Sequence, residues 1–198
     1  HIIDPAERKV IRSIDTPGKL PHMIAVSEDE TRAYLANAGS GTVAVVDLKS
    51  GGTAQTKVGG VPMGLALSSD GYRLYVTTRG ANLIALISTD MMNVVHRIEL
   101  KGQPARAHLV NSGRHLLVSL IGSGELALVD TQALGEVKRI PVGKSAEGLG
   151  VGPGERFVYV SAQAENRVLK FSLKDWKQVG EFKTGERPDP ILVLPEAQ

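Results

Sequence analysis

Five side chains in this sequence are of kinds that bind ligands or move protons: His22, Arg106, His108, Glu147 and Asp189. An imidazole can ligate a metal or exchange a proton near neutral pH. A guanidinium recognises carboxylates and phosphates with a flat fork of donors, and carboxylates pair with it or bind cations. Gathered in one place, such a mixed set would suit an anionic cofactor, a metal ion or a small polar ligand. Far apart in sequence, these residues have a claim to one site only because they hold related places in a repeat.

The repeat is regular. Units starting at Pro21, Pro62, Pro104, Ala146 and Pro188 follow one another at steps of 41, 42, 42 and 42 residues. Tyr34, Tyr75, Leu117 and Tyr159 keep the same step inside the units, as do Val46, Ile87, Val129 and Phe171. Each unit reads as four short β-rich runs separated by Gly, Asp and Ser turns. An apolar run ("IAVS", "LALS") is followed by a β-rich run ("RLYVTT", "RFVYVS"). An alternating run ending near Asp ("VAVVD", "LALVD") and a charged β-branched run ("VVHRIEL", "EVKRIPV") complete the unit. No stretch has helical periodicity. Four strands in roughly 40 to 45 residues is the signature of one β-propeller blade.

The fold class expected is therefore all-β, a single incomplete β-propeller domain over residues 1–198 with four complete four-stranded antiparallel blades. Residues 1–20 match the third and fourth strands of a preceding blade, since "IIDPAERKVIRSI" aligns with "LVDTQALGEVKRI". "PDPILVLPEAQ" from Pro188 supplies the first strand of a following one. A blade made from these two ends would hold strands one, three and four, and strand one cannot pair with strand three across the gap. The expectation is a fragment of a longer chain, from a ring with more blades.

In this frame the residue after each unit start is His22, Met63, Ala105, Glu147 or Asp189, and the next is Met23, Gly64, Arg106, Gly148 or Pro190. His108 stands where other units carry Ala25, Ala66 and Gly150. All fall on innermost strands, so His22, Arg106, His108, Glu147 and Asp189 are expected at one mouth of the central channel. A large ionisable group in place of Ala or Gly needs room and a partner, which points His108 into a cavity. The plain alternative is a water-filled channel that tolerates charge.

Other chemistry is excluded or weakened. The absence of cysteine among 198 residues removes disulfides, thiolate metal sites and thiol catalysis together. No apolar run reaches the roughly 18 to 20 residues of a membrane span, and residues 1–20 lack the order of a signal peptide. A net charge of +2 creates no strong general field for nucleic acid. "VGKSAEG" contains Gly143, Lys144 and Ser145 in phosphate-loop order, but Lys138 stands where the first glycine is required. "GLGVGPG" places Gly148 and Gly150 correctly for a dinucleotide fingerprint but has Pro153 at the third position, and no helix follows. These glycines are read as turn residues. His1, His96 and His115 form no metal-type spacing; His96 and His115 are read as surface or packing residues.

Lys9, Arg12, Lys57, His96, Arg97, Lys138, Arg139 and Lys183 make a basic rim of outer strands. Such charge protects sheet edges from pairing, or docks an anionic partner. The chain has eight aromatic residues, several at buried repeat positions, which argues against a stacking platform for nucleic acid. Trp176 is expected to be exposed in a turn. The oligomeric state is left open.

"RLYVTT", preceded by P-x-G-L-A-L-S-S-D-G and followed by "NLIALIST", resembles the YVTN-type β-propeller repeat. The resemblance covers nearly the whole chain, although "AYLANA", "LLVSLI" and "VYVSAQ" depart from the tetrapeptide. That family includes surface-layer-associated proteins, periplasmic binding proteins and relatives of the haem d1 domain of nitrite reductase. The resemblance implies a non-catalytic binding or scaffold propeller, periplasmic or extracellular, presenting loops to a protein or small polar ligand. It also allows a redox or cofactor-handling propeller holding a haem d1-like or other anionic cofactor. In that case His22, within "PHM", and His108 would be ligands or acid–base groups, and Arg106 would pair with cofactor carboxylates.

Overall fold

The computed structural model describes residues 1–194, and every regular element in it apart from three single 3-10 turns is a β-strand. Short strands β1 (Ile2–Asp4) and β2 (Lys9–Arg12) form an antiparallel pair. Four four-stranded antiparallel sheets follow, each in simple chain order. The first contains β3 (Pro21–Val26), β4 (Arg32–Asn37), β5 (Thr42–Asp47) and β6 (Thr53–Lys57). The second contains β7 (Pro62–Leu67), β8 (Arg73–Thr78), β9 (Leu83–Ser88) and β10 (Asn93–Glu99). In the third are β11 (Pro104–Val110), β12 (His115–Leu120), β13 (Glu125–Asp130) and β14 (Gly135–Pro141). The fourth comprises β15 (Ala146–Val151), β16 (Phe157–Ala162), β17 (Arg167–Ser172) and β18 (Gln178–Lys183). The first strands β3, β7, β11 and β15 touch one another in succession. This is a β-propeller, with its first strands lining the inner wall.

The middle strands of the second and third blades are apolar on both faces because each of those sheets has a blade on either side. In β8, for example, every residue after Arg73 is buried. Three apolar layers separate the four blades. Tyr34 and Val43 of the first blade meet Leu74 and Ile87 of the second. Tyr75, Ile84 and Leu86 meet Leu116, Val118 and Val129. Leu117, Leu126 and Leu128 meet Val158, Val160, Leu169 and Phe171. Burying each such side chain is worth about 1.5–3 kcal/mol, so blade stacking is the main source of stability.

The flanking pieces are less complete. Arg12 ties the β1–β2 pair to the first blade by donating from Nη1 to the carbonyls of Leu48 and Lys49, at 2.7 and 3.0 Å. Ala33 and Val46 are buried, while Ile24 and Val26 of β3 remain 59% and 49% exposed.

Three expectations need correction. Residues 188–194 do not form a strand: no described neighbour offers the hydrogen-bond ladder that defines one. The remainder of that run, 195–198, lies outside the described residues. Gly148 and Gly150 are not turn residues but lie within β15, where they admit the 188–194 segment. A Cβ on Gly150 would come within 2.7 Å of Ile191 Cγ2, and one on Gly148 within 3.2 Å of Ile191 Cγ1. Trp176, finally, is half-buried and packs against the layer between the third and fourth blades, because its positive φ of 62° turns it back toward the sheet.

The inner strands share one irregularity. Pro62 pairs with Thr78 and Leu65 with Val76, so Met63 and Gly64 together oppose Thr77. Ala105 with Arg106, and Glu147 with Gly148, repeat this bulge. A bulge removes backbone groups from the ladder, and here a hydroxyl replaces the missing partner. Thr77 Oγ1 accepts from the Gly64 N–H at 2.7 Å and donates to the Ala105 carbonyl of the next blade at 2.5 Å. Ser119 Oγ accepts from the Arg106 N–H at 3.0 Å and donates to the Glu147 carbonyl at 2.6 Å. Ser161 Oγ accepts from the Gly148 N–H at 2.7 Å.

Thr77→Val keeps the shape of this bridge and removes its hydrogen bonds. Stranding two buried backbone groups is expected to cost about 1–3 kcal/mol by denaturant unfolding, with Thr77→Ser close to wild type. Equal stability of the valine variant would show that the bridge carries no load.

Candidate functional site

The bulges do more than interrupt the ladder, since a bulge re-aims side chains. Met23 pairs with Ala36 and Pro21 with Asn37, which leaves His22 as the extra residue of β3. His22, Arg106 and Glu147 are thus all bulge residues, outside the regular alternation of their strands. Asp189 holds the corresponding position on the 188–194 segment.

Three of the expected residues meet. Arg106 Nη2 donates to Asp189 Oδ2 at 2.8 Å, and the two side chains are 11% and 18% exposed. Arg106 Nη1 lies 3.4 Å from His22 Nδ1, which lies 3.2 Å from the Met63 carbonyl. One ring nitrogen cannot accept from Arg106 and donate to Met63 at the same time, and the neighbouring blades decide which bond forms. The Ala105 and Glu147 carbonyls each receive a hydroxyl from the preceding blade; Met63 would receive one from position 36, which is alanine. Protonated at Nδ1, His22 would supply the hydrogen bond that the missing hydroxyl would have made, leaving its Nε2 lone pair open on an exposed ring. Two buried atoms of this cluster have no hydrogen-bond partner among the described residues, the donor Arg106 Nε and the acceptor Asp189 Oδ1.

Glu147 joins the cluster differently. Only 8% exposed, it contributes its carbonyl to the Ser119 bridge, and among the described residues it makes no ion pair with Arg106. His108 does not join it. Within β11 it pairs with Leu117 of β12, and Glu155 in the β15–β16 turn of the fourth blade is the charge that acts on it. Glu155 Oε2 accepts from the Asn111 N–H at 2.5 Å, and the Asn111 amide lies 3.0 Å from His115 Nδ1. Two strand positions are enough to carry His108 from one polar group to another. Neither Glu155 nor Asn111 carried a signal in sequence, because nothing local indicates that the β15–β16 turn reaches the β11–β12 turn of the preceding blade. The bridging hydroxyls did carry one: Thr77, Ser119 and Ser161 recur in register.

Among the described residues no group of three or more His, Asp or Glu is placed to hold a metal ion. The basic rim divides. Lys9, Lys57, His96, Arg97, Lys138 and Lys183 are exposed. Arg12 is committed to the carbonyls of the first blade, and Arg139 pairs with Glu125 at 3.0 Å and Glu136 at 2.7 Å.

No protein-family model matches the chain, and no curated protein matches it by sequence. Solved β-propeller structures do match in shape. Hydrazine synthase of Kuenenia stuttgartiensis aligns with a TM-score of 0.78 at 16% identity, over 86% of this chain and 51% of that one. Virginiamycin B lyase from Staphylococcus aureus gives 0.74 at 15% identity, over 86% and 58%. The dihydro-heme d1 dehydrogenase NirN, in complex with DHE, gives 0.76 at 17% identity, over 94% and 41%. This chain therefore spans about half the length of the structures it matches, and likeness at such identity shows the fold alone.

The His108 environment has a measurable consequence. Part of the ring stays open, yet burial lowers its pKa below the usual 6.5, and Glu155 offsets this only partly. A lowered folded-state pKa means that the unfolded chain binds the proton more readily. Stability is therefore lost as pH falls through about 6.5 and levels off below the folded-state pKa. His108→Gln, neutral throughout, is expected to flatten that part of the curve of melting temperature against pH. Parallel curves for the two proteins would remove His108 from the titration.

Proposed function

We propose that this propeller is a non-catalytic binding protein that takes a small anionic ligand at the mouth of its channel. The observation that carries the reading is the convergence of Arg106, Asp189 and His22 from three separate inner segments, with the buried Arg106 Nε unpartnered among the described residues. A guanidinium with donors to spare is suited to carboxylate or phosphate, and His22 Nε2 stands beside it as a second polar contact. The likeness to YVTN-type propellers supports a periplasmic or extracellular setting for such binding.

His22 favours a second reading. Donating Nδ1–H to a backbone carbonyl while leaving Nε2 free is the arrangement that orients a metal-ligating histidine. NirN, one of the fold neighbours, is described in complex with DHE. The residues here fit a carboxylate-bearing metallo-tetrapyrrole in outline: His22 would hold the metal and Arg106 a carboxylate. When bound, such a group would supply redox chemistry at its metal. His108, on the other polar group, would take no part.

Succinate and haemin separate these readings. Arg106→Lys keeps the charge beside Asp189 but loses the fork, and is expected to weaken succinate binding at least about tenfold with an unchanged melting temperature. Unaltered affinity would discard the channel mouth as the site. His22→Ala is expected to abolish the shift of the haemin absorption band on binding if the second reading holds; an identical band in the variant would end it.

A further inference from the structure

The Arg106–Asp189 pair is unusual in how little of it is used. Arginine and carboxylate prefer a two-pronged contact, but Asp189 reaches Arg106 with one oxygen, leaving Nε on one side and Oδ1 on the other without partners among the described residues. Asp189 is carried by a segment with no strand pairing. Apart from the Arg106 contact, the segment rests on side-chain contacts of Ile191 and Val193 with β15, and just before it the Arg187 N–H donates to Asn166 Oδ1 at 3.0 Å. Behind the carboxylate is bare backbone. A Cβ on Gly148 would fall 3.2 Å from Asp189 Oδ1 and 2.9 Å from Ser161 Oγ, so the carboxylate lies flat against backbone that only glycine leaves open.

We infer that Asp189 occupies the seat of a ligand carboxylate, and that ligands bind by exchanging with it on Arg106. This rests on the reading of the channel mouth as a ligand site and adds its chemistry and its control. A free carboxylate, unconstrained by a backbone, can turn to engage Nε and Nη2 together, which Asp189 does not. The flat space beside Gly148 admits a planar carboxylate in preference to a tetrahedral anion. Asp189 sets the threshold for binding, because a site filled by an internal competitor shows an affinity reduced by the fraction of time it is free. No covalent step is involved. The exchange trades one carboxylate for another and leaves the charge around Arg106 unchanged.

Chemical rescue tests the seat directly. Asp189→Ala vacates it, and sodium acetate is expected to raise the melting temperature of that variant by several degrees over sodium chloride at equal ionic strength. Acetate should have no such effect on wild type or on Asp189→Ala combined with Arg106→Gln, and sulfate should not substitute for it. Asp189→Asn, closer in shape, is expected to bind succinate about tenfold more tightly than wild type. If acetate leaves Asp189→Ala unmoved, or sulfate rescues equally well, the carboxylate seat is refuted. If Arg106→Lys weakens succinate binding but Asp189→Asn does not strengthen it, the channel-mouth reading survives and exchange does not. Rescue by acetate with succinate indifferent to Arg106 would establish the seat and overturn the channel-mouth reading instead.

Discussion

Everything at the inner wall depends on satisfying the backbone of a bulged strand. The bulge leaves an N–H without its ladder partner at a depth where water does not reach, and the next blade presents a carbonyl in the same condition. A single hydroxyl from the second strand answers both, as Thr77 does for Gly64 and Ala105. The apolar layers between blades supply most of the stabilising free energy but little direction, since burial of area is nearly indifferent to small sliding motions. The hydroxyl bridge is directional. It sets how far one blade is offset along its neighbour, and so where each bulged side chain emerges.

The candidate site is a by-product of that constraint. The same two-against-one register that requires a hydroxyl also makes His22, Arg106 and Glu147 bulge residues of the inner strands. Where the first blade lacks the hydroxyl, at Ala36, the bulge residue itself stands in its place, with His22 Nδ1 3.2 Å from the Met63 carbonyl. One substitution in the bridge thereby brings a histidine ring against that carbonyl. Arg106 lies at the opposite extreme. Its pairing with Asp189 takes both groups largely out of water, a costly arrangement that stands only when geometry and further hydrogen bonds compensate. Here the compensation is incomplete, and the shortfall is concentrated on two atoms.

Much of this was legible in advance. Four in-register units of four β-rich runs led to a propeller of four-stranded blades, and position within the unit placed His22, Arg106 and Asp189 together before any coordinates. Position failed for His108, which shares a strand with Arg106 but a different polar neighbourhood. It failed again for Gly148 and Gly150, read as turn residues when their missing side chains make room for another segment. Trp176 was misjudged for a related reason: a turn is exposed on average, but one residue with positive φ can fold its side chain back over the core.

Periodicity is a local property that recurs, so the sequence alone determined strand order, blade count among the described residues and which faces are apolar. Contacts between blades join residues 28 to 84 positions apart, and no local pattern specifies which atoms of two such residues meet. Only the tertiary structure decided that Ser119 reaches the Glu147 carbonyl, that His22 stands in for a hydroxyl, and that Asp189 touches Arg106 with one oxygen. Hydrogen bonding changes over fractions of an ångström, and at that scale the offset between neighbouring blades decides the chemistry.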